Sequence, residues 1–456
     1  MLFHRELMGT STPQELVSAK AASSESALRD DEFWRAIPRF AGINRETFLD
    51  YRWQYKNSPT NADELCAILK GLVEPSAHAD LVDGLGRAPM SVRLTPYLLS
   101  LIEWDQFITD PLRRQYLPIG SELIHDHPKL KLDPLHEQAY SPVPGITHRH
   151  RDAVLLLTVD TCPVYCRFCT RSYMVGRDTE AVTKDKLSSS RARWQASLDY
   201  VRDTPEVEDV VLSGGDAYLM KPEQIRFFGD ALLELPNVRR IRIATKGPAV
   251  SPMKLLTDHE WVDALVHLST EGRKRQKQVS LHTHFSHPRE ITSTTSEGLN
   301  RLFERGLTIR NQGVLMRGVN DDAETMKLLV RRLSHMNVQS YYIYQLDMVP
   351  GVEDLRTPLR TAIELEKNVR GATAGYQTPL FIVDALGGGG KRDVHSHEFY
   401  DRATGISTFR SPNMDPDARY FHFDPIASLP EDGRSRWDDP NEHEVMIREA
   451  LAETRS

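Results

Sequence analysis

The chain has 456 residues, and 57 Lys and Arg stand against 64 Asp and Glu for a formal charge of −7. That length can bury a sizeable core, and the acidic balance excludes a general polyanion binder. The hydrophobic 40% is interrupted throughout, so no stretch approaches the ~18 apolar residues of a membrane span, and four cysteines are too few for a disulfide scaffold.

Residues 1–20 carry acids and lack an apolar core of secretory type, which predicts a cytoplasmic protein. Residues 1–110 read as a helical N-terminal region, with apolar residues at helical spacing in DDEFWRAIPRF, RETFLDYRWQYKNS and ADELCAILKGLV, separated by Pro38, Pro59 and Pro75. Residues 111–150 are rich in Pro and His, too irregular for a long helix, and read as an ordered connector into the main domain. From 151 to 394, short apolar runs at 153–159, 208–216, 239–245, 278–285, 307–315, 340–347 and 379–385 alternate with amphipathic stretches near 184–202, 222–235, 252–267, 294–305, 322–335 and 357–370. This alternation predicts an α/β fold with a parallel sheet and right-handed crossovers, in which six or so units make a partial or full barrel. Functional groups then belong at the C-terminal ends of the strands. Polar residues do end the runs: Thr158, Ser213, Asp216, Thr245, Lys246, His282, His284, Asn311, Gln312 and Asp347. Residues 272–278, GRKRQKQ, read as a solvated basic loop. Residues 395–456 read as a polar extension with one helix near 441–453.

Three of the four cysteines, Cys162, Cys166 and Cys169, fall in CPVYCRFC after the first run. Three thiolates can ligate three irons of a [4Fe–4S] cluster and leave the fourth iron open, whereas a closed structural zinc site needs a fourth ligand and no fourth Cys lies nearby. The spacing, with Phe168 before the last cysteine, resembles the radical S-adenosylmethionine (SAM) superfamily. The resemblance implies that methionyl groups of SAM chelate the open iron. It also implies that Ser213, Gly214, Gly215 and Asp216 in LSGGD form the glycine motif near SAM; taken alone, such a pair is more often a turn.

A second run, LGGGGKRD, places Lys391 after four glycines. A phosphate loop of GxxxxGK[ST] type requires Ser or Thr after the lysine, and Arg392 stands there. An imine-forming lysine and a plain exposed loop both remain open on spacing alone.

DALGGGGK, the cysteine loop, DYRWQYKNS (50–58), SPVPGITHRH (141–150), HTHFSHP (282–288), NQGVLMRGVND (311–321), YYIYQLDMVPGVEDLRTP (341–358) and RGATAGY (370–376) together resemble the lysine 2,3-aminomutase family, in its order, from about residue 40 to 394. The resemblance implies a partial (β/α)6-type radical SAM barrel with pyridoxal phosphate on Lys391. It further implies Arg149 and His150 toward that cofactor, His284 and Gln312 around SAM, Arg171 on the substrate carboxylate, and Asp347 with Asp384 on a distal ammonium. The implied reaction is migration of the α-amino group of L-lysine to C3. Arginine as substrate, or β-lysine supply for modifying a translation factor, would use the same chemistry. A non-catalytic iron–sulfur regulatory protein would leave Lys391 and Arg171 without a task. A small amino acid, a reductant such as flavodoxin or ferredoxin and a homo-oligomer are the expected partners, without nucleic acid or membrane.

Two departures stand out. The family's HRYPDR gives two arginines to pyridoxal phosphate, but here HRHRDA has Ala153 at the second position. Period-two alternation would put Arg149, Arg151 and Ala153 on one strand face, so that Arg151 replaces the missing charge. Asp322 stands where a zinc-binding cysteine is expected and no Cys follows Cys169, so no Cys-based zinc is expected.

Overall fold

The computed structural model describes residues 27–411 and 414–454, so the reading of residues 1–20 lies outside it. Short helices open the described part of the chain, among them Tyr51–Lys56, Ala62–Leu69, Pro75–Arg87, Pro96–Leu101 and Pro111–Tyr116. Each begins where the sequence supplies a capping side chain, a first-turn proline or both. Asp50, Asn61, Thr95 and Asp110 accept backbone N–H bonds through their side chains, and Pro75, Pro96 and Pro111 take first-turn positions where no N–H is needed. Tyr97, fully buried, ties this region to the barrel by a 2.8 Å hydroxyl contact with Thr292.

All seven runs are strands of one sheet. They are β2 (Ala153–Val159), β3 (Asp209–Gly214), β4 (Arg240–Ala244), β5 (Gln278–Thr283), β6 (Thr308–Leu315), β7 (Gln339–Gln345) and β8 (Leu380–Ala385). They pair in parallel and in chain order. Six helical crossovers join them, the principal helices being Arg191–Asp203, Pro222–Glu234, His259–Lys274, Ser293–Glu304, Ala323–His335 and Leu359–Val369. Their apolar stripes, such as Ile225, Phe228, Leu232 and Leu233, are buried in the main core.

Five strands among the described residues escape the sequence reading, two that pair with the barrel and three beyond residue 395. β1 (Ile146–His150) lies in the supposed connector and pairs antiparallel with β2, while β9 (Gly390–Asp393) folds the glycine run back antiparallel on β8. β1 is hard to see because only Ile146 and Thr147 are buried and the rest is His-Arg-His. Its pairing also corrects the expectation for Arg151. His150 pairs with Ala153, so Arg151 and Asp152 form the hairpin tip, where both are exposed and strand alternation no longer applies. The basic stretch at 272–278 is likewise not a free loop: its first three residues end the helix His259–Lys274, and Lys277 donates to the Leu233 and Leu235 carbonyls. Beyond 395 the chain folds into an antiparallel meander, β10 (His397–Tyr400), β11 (Ile406–Ser411) and β12 (Asp415–Phe423), and two helices, Glu431–Asp438 and His443–Thr454. Ile406, Phe423, Leu429, Trp437 and Met446 form its core around Met348 of the barrel.

Candidate active site

The C-terminal strand ends and the loop after β2 enclose a cavity of about 350 Å³. Cys162, Cys166 and Cys169 all line it, and Cys66, on the helix Ala62–Leu69, does not. The cysteine loop is fastened from outside. Tyr165 N donates to Arg93 O, Arg167 N donates to Gln115 O, and the Arg167 guanidinium grips Asp354 through both carboxylate oxygens at 3.1 and 2.6 Å. Burial pushes all three thiols up, that of Cys166 to about 12, so they are neutral until a metal's charge draws the protons off. Among the described residues no three His, Cys, Asp or Glu side chains converge on the point that a single ion would need. An iron–sulfur cluster makes a different demand, one thiolate for each of three irons.

The glycine pair after β3 packs directly on this loop. Gly214 sits at φ +115°, and a Cβ on it would collide with the Val159 carbonyl. Gly215 N donates to that carbonyl at 2.6 Å and Asp216 N to Thr161 O at 3.0 Å. Ser213, Gly215 and Asp216 line the cavity, whereas Gly214 acts from behind it. We expect Gly214→Ala to displace the cysteine loop and lower the iron content after reconstitution several-fold; full iron loading would contradict this. Asp216 spends its carboxylate on the Tyr218 and Lys246 amides. Gln312 Nε2 lies 3.3 Å from His282 Nδ1, and Phe168 stacks on His284 at 5.6 Å. Burial, with Lys246 nearby, drives His284 well below its usual pKa, and its Nε2 has no partner among the described residues.

On the other wall the hairpin of β8 and β9 sets Lys391 across from Asp384. The glycines make this reversal tight: Gly388 has φ +91°, and a Cβ there would meet the Tyr140 ring at 2.9 Å. Lys391 is therefore not on an exposed loop. Its Nζ lies 5.7 and 5.9 Å from the Tyr342 and Tyr344 rings, with no hydrogen bond or ion pair among the described residues. Burial lowers its pKa, which favours the uncharged, nucleophilic amine. The cavity's other lysine, Lys246, is committed to Glu290 at 2.9 Å and to the His284 carbonyl. Arg149 Nη2 donates to Asp384 Oδ2 at 2.8 Å, leaving Arg149 Nη1, Asp384 Oδ1 and His150 Nε2 buried without partners among the described residues. Burial, then the charges of Arg149 and Lys391, pull His150 down to about 4. An amine and several unpaired polar atoms facing one cavity suit an aldehyde cofactor with an anionic group.

Arg171 brings a finding that the sequence did not show. Its Nε and Nη2 donate to the two oxygens of Glu137, each at 2.8 Å, and Tyr173 donates to the same carboxylate at 3.1 Å. Both of those donors are thus taken by Glu137, and only the Nη1 edge turns to Ser213, 3.5 Å away. Glu137 comes from the supposed connector, and no spacing marks it. Asp347 differs from Asp384 in having no side-chain hydrogen bond or ion pair among the described residues; burial first, then the Asp384 charge, raise its pKa well above the carboxylate range.

Four further histidines are held neutral, chiefly by burial: His127 at about 2, and His282, His287 and His422 at about 3. An unfolded chain takes up protons on them below about pH 6.5 that the fold refuses, so stability is lost as pH falls from there. The urea midpoint should drop steadily between pH 7 and pH 5; a flat profile would contradict this.

Comparison with known proteins agrees with the geometry. Residues 156–329 match the Radical SAM superfamily, and a cysteine loop at the C-terminal end of a parallel sheet defines this chain as a protein of that class. L-lysine 2,3-aminomutase of Clostridium subterminale is 39% identical over 79% of this chain and 81% of its own. The enzyme of the same name from Bacillus subtilis (strain 168) is 34% identical over 78% and 71%, and glutamate 2,3-aminomutase of Clostridioides difficile (strain 630) 32% over 87% and 89%. The chain belongs to the lysine 2,3-aminomutase family, and is an isomerase of aminomutase type. Membership implies a [4Fe–4S] cluster, SAM and pyridoxal phosphate. Among solved structures, Streptococcus suis SuiB bound to SAM aligns at TM-score 0.39 and 13% identity over 52% of this chain and 51% of that one. Among the described residues no helix is long and apolar enough to cross a membrane.

Proposed function

We propose that the enzyme moves the α-amino group of L-lysine to C3, giving β-lysine, with Cys162, Cys166 and Cys169 on the cluster and Lys391 anchoring pyridoxal phosphate. SAM on the reduced cluster supplies hydrogen abstraction, and pyridoxal phosphate carries the migrating nitrogen. The chain's own residues orient and enclose. Arg171, steadied by Glu137, offers its Nη1 edge to the α-carboxylate. Asp347 receives the distal ammonium. Lys391 Nζ, whose charged form burial disfavours, gives up its proton readily and can take one back when the amino acid displaces it. Phe168, Val314 and Leu346 line the cavity with apolar surface that keeps water from a reactive intermediate.

The observation that carries the choice of substrate is Asp347, a carboxylate facing the cavity with no protein cation within ion-pair distance among the described residues. Its ionised form suits a cationic side chain, and it brings no cation to meet the second carboxylate of glutamate. Anaerobic incubation of reconstituted enzyme with lysine, arginine or glutamate, SAM and reductant, followed by chromatography of the β-isomers, tests this. β-Lysine should dominate; arginine turnover in preference would move the assignment to the longer cation, and glutamate turnover would refute it. For the anchor, borohydride reduction should fix the cofactor on Lys391, and a peptide map placing the adduct on Lys246 would overturn that role.

A further inference from the structure

With Arg151 outside the cavity and Ala153 uncharged, Arg149 lacks the second cation expected beside it. Four other basic side chains besides Arg149 line the cavity: Arg171, Arg242, Lys246 and Lys391. Arg171 is taken by Glu137, Lys246 by Glu290, and Lys391 has its own task. Arg242, in the middle of β4, is held by a single side-chain bond, Nε to Asp209 Oδ1 at 2.8 Å. Both of its Nη atoms are without protein partners among the described residues.

The sheet register explains where this guanidinium lies. Ala153 pairs with Asp209, and Val211 with Arg242, so Asp209 is next to the vacant wall position and draws the Arg242 side chain back toward it. Asp209 also receives Arg240 Nε at 3.2 Å, but Arg240 is shared with Asp152 and Glu208, which do not line the cavity, so Arg242 is the guanidinium of this group that faces it. His282 stands on the same cavity wall: its buried Nε2 has no partner among the described residues, and burial, with the charges of Arg242, Arg310 and Lys391, holds the ring neutral. A fixed guanidinium with free Nη donors beside an unpartnered imidazole is suited to a phosphate dianion.

We propose that Arg242, positioned by Asp209, binds the phosphate of pyridoxal phosphate in this enzyme and supplies the charge that Ala153 does not. The inference rests on Lys391 as the cofactor's anchor, so the test separates the two. Pyridoxal and pyridoxal phosphate are titrated separately into wild type and variants, followed by the visible band, and each adduct is reduced and mapped. Wild type should prefer the phosphorylated form strongly, with inorganic phosphate competing. Arg242→Gln should weaken pyridoxal phosphate about 10–100-fold, as expected for one charge-assisted contact, and leave pyridoxal affinity and the adduct on Lys391 unchanged. Arg242→Lys should recover part of the preference, and Asp209→Asn should lose part of it. Arg151→Gln should do nothing.

An unchanged ratio of the two affinities in Arg242→Gln overturns the proposal, as does an equal loss for both ligands, which would mark a merely structural arginine. If the glutamine variant does not fold, the lysine variant decides: a preference identical to wild type overturns the proposal, and a reduced one with unchanged pyridoxal affinity supports it. A wild-type adduct on another lysine would instead refute the anchor, whatever Arg242 does.

Discussion

Replacing any one of Cys162, Cys166 and Cys169 by alanine should abolish the iron-dependent absorbance and reductive SAM cleavage, while Cys66→Ala keeps both. The ground is ligand count. A [4Fe–4S] cluster with one open iron uses every one of three thiolates, so a missing ligand leaves two irons without protein support. Burial strengthens the argument, because an apolar surround raises all three thiols and offers little else to hold iron. The fastening of the loop by Arg167 and Asp354 makes the alanine variants good tests, since those bonds do not involve the thiols. Anaerobic reconstitution followed by iron analysis and electron paramagnetic resonance measures the outcome. A Cys66→Ala protein without its cluster, or a Cys166→Ala protein with a full one, would sink the assignment.

The barrel was legible in the sequence because short apolar runs recur between amphipathic stretches, nearly continuous in β2, β3 and β8 and alternating with polar residues in β4 and β6. β3 shows it plainly, with VVL buried and Ser213 at its end. The antiparallel partners were not legible. β1 is His-Arg-His for most of its length and β9 is Gly-Lys-Arg-Asp, and both exist because barrel strands already formed offer them edges. β12 has the same problem, since its burial comes from packing against Trp437 and Met348 rather than from a run of its own. At the site, motifs pointed to Cys162, Cys166, Cys169 and Lys391, which the fold does bring to one cavity. What motifs could not show is pairing. Glu137 on Arg171, Arg149 on Asp384 and Asp209 on Arg242 each join residues far apart in sequence, and each decides which donor or acceptor is still free for a ligand.

Those pairings divide the two aspartates that the sequence treats alike. Asp347→Asn should raise the Michaelis constant for lysine about 10–100-fold and leave cofactor binding unchanged, because it removes the one cavity carboxylate with no side-chain hydrogen bond or ion pair among the described residues. The loss of a partner for a fully buried charge costs about 3–5 kcal/mol; the effect here is set lower because asparagine keeps an acceptor oxygen for the ammonium. Asp384→Asn should act differently. It releases Arg149 Nη2, so pyridoxal phosphate should bind several-fold more weakly, with a smaller rise in the Michaelis constant. A pH signature separates the roles further. Asp347 is protonated in the empty site well above the usual carboxylate range, so an incoming ammonium must displace that proton, and lysine binding should tighten as pH rises. In Asp347→Asn that part of the pH dependence should vanish, leaving the part due to the substrate's own α-amine. Titration calorimetry with lysine in buffers of different ionisation enthalpy counts the proton released: the wild type should release more than Asp347→Asn, and equal release by both would remove Asp347 from the ammonium site.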